Sequence, residues 1–80
     1  MTIGEAIRQR ILELCKSRLI SVNKLCYLSG VTQSTVNNIM SGRNNSVTVS
    51  TVKKLCDGLD ITLVDFFNSD VFLNLDQEIK

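Results

Sequence analysis

The sequence predicts an all-α chain, a compact five-helix fold followed by a short C-terminal tail. Three observations lead there. Apolar residues recur at helical spacing in one segment after another. A Thr or Ser stands at the head of these segments, where a helix N-cap belongs. No stretch alternates polar and apolar residues with the period of a strand, and the chain contains no Pro.

Helix 1 is expected over Ile3–Ser17. Thr2 and Glu5 make a T-x-x-E capping box at its start. Ile3, Ile7, Ile11, Leu14 and Cys15 mark the buried stripe, and Ala6 widens it. Arg8, Arg10, Lys16 and Arg18 lie away from the stripe's centre. Helix 2 is expected over Val22–Ser29, capped by Ser21, with Ile20 packing back as a staple. Leu25 and Cys26 should face inward, together with Leu28 or Tyr27. Gly30 supplies the left-handed backbone of a tight turn, and Val31 fills the gap between helices. Helix 3 is expected over Gln33–Ser41, capped by Thr32 and ended by Gly42. Val36, Ile39 and Met40 form its inner side, and Thr35 sits at the border.

A polar loop follows, Arg43-Asn44-Asn45-Ser46-Val47. Helix 4 starts at Thr48 and should carry Val49, Val52, Cys56 and Leu59 inward. Leu55 is expected on its flank, Lys53 and Lys54 in water, and Gly58 loosening its end. Helix 5 is short: Thr62 caps it, Asp65 holds the third position, and Leu63, Phe66 and Phe67 are its apolar residues. The tail, residues 68–80, mixes Val71, Phe72, Leu73, Leu75 and Ile79 with acids. It reads as either a loose sixth helix or an extended strap. Residues 1–67 then form one domain, with 68–80 outside it.

Composition narrows the class. Eighty residues with 44% apolar and 5% aromatic content suit one small domain with a core of Ile, Leu and Val. There is no apolar run long enough for a membrane span and no secretory pattern, so a cytoplasmic protein is expected. Cys15, Cys26 and Cys56 are widely spaced, lack a CxxC and fall in apolar registers. They read as small buried side chains. With no His, no zinc-ligand set, no Gly-rich phosphate loop and no acid pair, the chain offers neither a catalytic residue nor a metal or cofactor site. No small-molecule ligand is evident. An enzyme is not expected.

The net charge of +1 conceals a split. Residues 1–54 hold Arg8, Arg10, Lys16, Arg18, Lys24, Arg43, Lys53 and Lys54 against Glu5 and Glu13 only. Asp57, Asp60, Asp65, Asp70, Asp76 and Glu78 all follow, against Lys80. A basic section that includes helices 2 and 3 is an electrostatic footprint for phosphate.

Helix 3 is unusual within that basic section, because it has no charged side chain. Its outer face carries Gln33, Ser34, Asn37 and Asn38. A helix that needs only solvation usually carries Lys and Glu. Amides and hydroxyls both donate and accept hydrogen bonds, as base edges in a DNA major groove require. Asn is moreover a poor helix former, so something other than stability accounts for the pair.

Residues Ser21 to Gly42 resemble the helix-turn-helix of the Cro/cI repressor-like (XRE) family. The match rests on Leu25, Cys26 (where that family usually has Ala), Gly30, Val31, Gln33, Val36, Ile39 and Gly42. The five-helix order and the segment TVSTVKKLCDGLDITLVDFF extend it to about Thr2–Phe67. The resemblance implies a lambda-repressor-like DNA-binding domain, sequence-specific for double-stranded DNA and acting as a transcriptional regulator of the repressor type. It implies a homodimer on DNA and a cytoplasmic, bacterial or phage nucleoid-associated protein, with helix 3 reading the major groove.

Site residues follow from the resemblance one by one. Thr32, Gln33, Ser34, Asn37 and Asn38 match base- and backbone-contacting positions. Arg43 matches a basic position that meets phosphate, and Asn44 and Asn45 lie in the loop where backbone amides do the same. The family often opens helix 2 with a phosphate-clamping Gln; here that residue is Val22, so the contact falls to Ser21, Asn23 or a backbone amide. Lys24, Lys53 and Lys54 add general attraction, and Arg8 and Arg18 are further candidates. The family often has Glu at Met40 to pair with an Arg of helix 1, so Arg10 is expected to be released to DNA or solvent. Val47 replaces a common Pro and should loosen the loop. With no Arg on helix 3, A·T pairs are expected at the key positions. Phe66, Phe67, Phe72, Leu73, Leu75 and Ile79 supply either a dimer seam or a tail folded over its own core. A rival reading keeps the fold as a protein-interaction module or an antitoxin-type partner.

Overall fold

A computed structural model of the chain describes residues 1–42 and 47–79. The described elements are α1 (Ile3–Arg18), α2 (Val22–Ser29), α3 (Gln33–Met40), α4 (Val49–Leu59), α5 (Leu63–Phe67) and a 3₁₀ turn at Asp70–Phe72. Among the described residues there is no strand, and no helix is long and apolar enough to cross a membrane.

All five helices begin with one device. Thr2, Ser21, Thr32, Thr48 and Thr62 are the N-caps, each in extended backbone and each accepting from an N–H of the first turn. Thr2 with Glu5 and Thr62 with Asp65 complete capping boxes. Four residues beyond each cap stands a buried apolar residue: Ala6, Leu25, Val36, Val52 or Phe66. Before the caps of α2 to α5 stand Ile20, Val31, Val47 and Ile61, all packed on the core. This is the placement of a hydrophobic staple, and it fixes how the chain enters each helix.

Two helix ends share a second device. After α1, the Ile20 N–H donates to the Cys15 carbonyl at 3.0 Å and the Leu19 N–H to Lys16 at 3.2 Å. After α4, Ile61 donates to Cys56 at 3.0 Å and Asp60 to Asp57 at 3.2 Å. Both are Schellman closures, which need a left-handed residue. Leu19 and Asp60 fill that role with φ of 56° and 57°. The same corner therefore joins α1 to α2 and α4 to α5.

The core comprises Ile7, Ile11 and Leu14 of α1, Leu25 of α2, Val36 and Ile39 of α3, Val52, Leu55 and Leu59 of α4, and Phe66 of α5, with all three cysteines among them. Burial pushes each thiol above its ordinary pKa. The buried-cysteine expectation is borne out.

Several packing expectations are corrected. Neither Tyr27 nor Leu28 faces inward; Tyr27 is 81% exposed and Leu28 is exposed too. On a 3.6-residue period the inward side of α2 runs through Val22, Leu25, Cys26 and Ser29. Ser29 is half-buried there, with its hydroxyl bonded to the Leu25 carbonyl at 2.7 Å. Val49 is 66% exposed, and Val47, ahead of the cap, packs on the core instead. Leu55 is fully buried and not on a flank, because α4 packs against both α2 and α5. Gly58 does not loosen α4. A Cβ there would lie 2.9 Å from the backbone N and Cα of Ser29, so the glycine lets α2 and α4 approach closely.

The tail is a strap with one 3₁₀ turn. Phe72 is half-buried on the core and meets the rings of Phe66 and Phe67, with centroids 6.2 and 5.0 Å away. Farther along, the Asp76 N–H donates to the Met1 carbonyl at 2.8 Å. Phe66 and Phe72 thus serve the chain's own core, while Leu73 and Ile79 stay exposed.

Candidate nucleic-acid interface

α2 and α3 are joined at Gly30, where φ is 69° and the N–H donates to the Cys26 carbonyl at 3.0 Å. Val31 is buried at the joint. With Val36 and Ile39 buried and Met40 half-buried, α3 can turn only one side outward. Gln33, Ser34, Asn37 and Asn38 are all exposed there, and Thr35 is intermediate. Gln33 with Asn37, and Ser34 with Asn38, stand four residues apart and form two adjacent outer rows.

The first turns of the two helices are tied together. The Gln33 Nε2 group donates to the Asn23 Oδ1 atom at 2.5 Å. That bond places Asn23, an expected phosphate contact, beside Gln33, an expected base contact. The sequence held no sign of it, because the two residues lie ten apart on different helices. Ser21 accepts from the Lys24 N–H at 3.0 Å, which leaves its own O–H to donate. The Thr32 oxygen accepts from the Thr35 N–H at 3.3 Å and shares a 2.8 Å bond with the Thr35 hydroxyl. The cap therefore occupies much of Thr32's polar capacity and leaves its methyl. Asn37 and Asn38 have no side-chain hydrogen bond among the described residues. Arg43, Asn44 and Asn45 lie outside the described residues.

Charge around this face is arranged unevenly. Lys24 is exposed, with its Nζ 5.2 Å from the centre of the Tyr27 ring. Arg8 reaches the end of α3: its Nη1 lies 3.1 Å from where a Cβ on Gly42 would stand. Lys53 is engaged by Asp57 one turn on, and that bond holds its pKa above the ordinary lysine value. Arg10 is not released to DNA or solvent. It donates to the Phe66 and Asp65 carbonyls at the end of α5, where helix carbonyls run out of intrahelical partners, and the Asp65 carbonyl also accepts from the Asn68 N–H at 3.3 Å.

The sequence of residues 10–69 matches the family model of the Cro/C1-type helix-turn-helix DNA-binding domain. The chain belongs to that family. The match runs from Arg10 to Ser69, leaving most of the tail outside. Among solved structures, the chain is similar to the prophage Lp1 protein 11, with a TM-score of 0.81 and 34% identity, over 88% of this chain and 92% of that one. Comparison with curated proteins gives no match. The Cro/C1-type domain is thus an all-helical DNA-binding module whose α3 presents amides and hydroxyls to its surroundings.

Proposed function

We infer that the protein is a sequence-specific regulator of the repressor type that reads the DNA major groove with α3. The observation that carries this reading is the outer face of α3, uncharged and amide-bearing, on a Cro/C1-type domain whose charge is otherwise basic near α2 and α3. Gln33 and Asn37 are the principal base readers, Ser34 and Asn38 flank them, and Thr32 offers its methyl. Ser21, Asn23, Lys24 and Arg43 hold phosphate, with the backbone amides of Asn44 and Asn45. Two copies act together on a palindrome in the cytoplasm, because one small domain reads too few base pairs for genomic selectivity.

Binding of selected and random duplexes across a salt series tests the reading. Lys24→Ala should weaken both alike and lower the salt slope by about one. Gln33→Ala should cost the selected duplex about 1–3 kcal/mol and leave random DNA unaffected. Equal effects of the two variants on both duplexes would overturn this division of roles. Absence of DNA binding at any salt would favour the protein-interaction reading.

A further inference from the structure

The corner that ends α1 and the corner that ends α4 share a backbone and differ in chemistry. Leu19 and Asp60 hold the same left-handed place in them. Lys16 and Arg18 stand just before the first corner, whereas Asp60 and Asp65 flank the second. These four charged side chains are exposed, and none of them is in an ion pair among the described residues. Leu19 is 92% exposed, so it buries almost no apolar surface in its own copy. It also holds a conformation that glycine adopts at less cost. Leu12, seven residues earlier on the same side of α1, is exposed as well. Beside the second corner, Leu63, Val64, Phe67 and Asn68 line an open apolar cleft. Val64 is 78% exposed there. Asp60, Asp65, Asp70 and Asp76 fall within residues 60–76, a stretch with no Lys or Arg.

We propose that copies of this chain associate head to tail, with Leu19 of one copy seated in the α5 cleft of the next and Lys16 and Arg18 set against the carboxylates of Asp60 and Asp65. One copy cannot make this contact with itself. Arg10 faces α5, and Leu12, two residues on, lies about 200° round α1 from it. The leucine side of α1 therefore points away from the cleft. Two-fold pairings through either face are poorly matched. Cleft against cleft opposes carboxylates to carboxylates, and the α1 corner against itself opposes cations to cations. Like charges across an interface select against that partner. Head to tail, apolar groups meet apolar groups and each charge meets its opposite. Every copy then has one face of each kind, so the contact can repeat from copy to copy. It is additional to two-fold pairing on a palindrome. It involves neither α3 nor DNA, so it stands or falls separately from the base-reading role.

Sedimentation of the full chain without DNA, over a range of concentration and salt, tests the proposal. The unaltered chain should self-associate, and more weakly at high salt. Leu19→Gly and Val64→Lys should each weaken association about ten- to a hundredfold, the equivalent of losing one buried apolar side chain. Both positions are exposed, and circular dichroism with the thermal midpoint checks that each variant stays folded. The two variants mixed should regain a dimer and nothing larger, because Leu19→Gly keeps a cleft and Val64→Lys keeps the leucine. A chain that stays monomeric at every concentration overturns the proposal. So does loss of association in Val64→Lys with none in Leu19→Gly, the mark of a two-fold seam at α5. A mixture that associates no better than its separate components overturns it too.

Discussion

Arg10 of α1 closes the last turn of α5, its Nε donating to the Phe66 carbonyl at 2.6 Å and its Nη2 to the Asp65 carbonyl at 2.8 Å. Glu13 accepts from the same guanidinium at 3.1 Å and from the Ser69 hydroxyl at 3.0 Å. A cation at helix-terminal carbonyls is favourable in both charge and hydrogen bonding. The Arg10 side chain is only 16% exposed. Arg10→Ala should therefore cost about 1.5–3 kcal/mol, the range for hydrogen bonds to a charged group, in urea unfolding. Arg10→Lys should recover only part, because an ammonium lacks the fork that serves two carbonyls at once. An unchanged urea midpoint in Arg10→Ala, with a shallower salt slope on DNA, would instead place Arg10 at phosphate.

The approach of α2 to α4 gives a second expectation. Alanine favours a helix interior over glycine by about 1 kcal/mol. At Gly58 the added methyl would meet Ser29 backbone atoms at 2.9 Å. Overpacking of this kind costs about 1–3 kcal/mol, and backbone cannot swing aside as a side chain can. Gly58→Ala should thus lower the thermal midpoint. A rise would mean that the two helices part at little cost.

Acid should act through the capping box of α1. The Thr2 backbone N–H, then its hydroxyl, bond the Glu5 carboxylate at 3.2 and 3.1 Å and hold its pKa below the ordinary 4.5. A pKa depressed in the folded state adds stability that is complete above the unfolded value and is lost as pH falls through the folded one. The thermal midpoint should fall as pH drops below about 4.5, and Glu5→Gln should flatten that fall. Identical pH profiles for the two proteins would remove Glu5 from the account.

Most of the helical architecture was legible in the sequence because it is specified locally. Thr2, Ser21, Thr32, Thr48 and Thr62 announce their helices through a cap that spans only three residues. Gly30 marks its turn by the same local logic. What was not legible depends on neighbours distant in sequence. Leu55 reads as flanking on α4 alone and is buried because a second helix covers it. Gly58 reads as loosening the end of α4 and is a contact surface. Arg10 reads as a released partner of a missing Glu, yet it finds the carbonyls of a helix 55 residues away. At the candidate interface the outward set on α3 followed from periodicity, whereas the Asn23–Gln33 bond depends on how two helices meet.

Leu19 and Asp60 hold left-handed backbone without being glycine, and Leu19 is 92% exposed as well. An L side chain in that conformation is disfavoured by about 1–2 kcal/mol, and glycine's greater freedom when unfolded offsets about 0.4–1 kcal/mol of any relief. Leu19→Gly and Asp60→Gly should each raise the thermal midpoint by about 2–6 °C; a fall in both would show the strain to be absent. These corners thus give a protein engineer room for mutational tolerance. Glycines placed there can absorb destabilising changes introduced on the outer face of α3 when that face is varied.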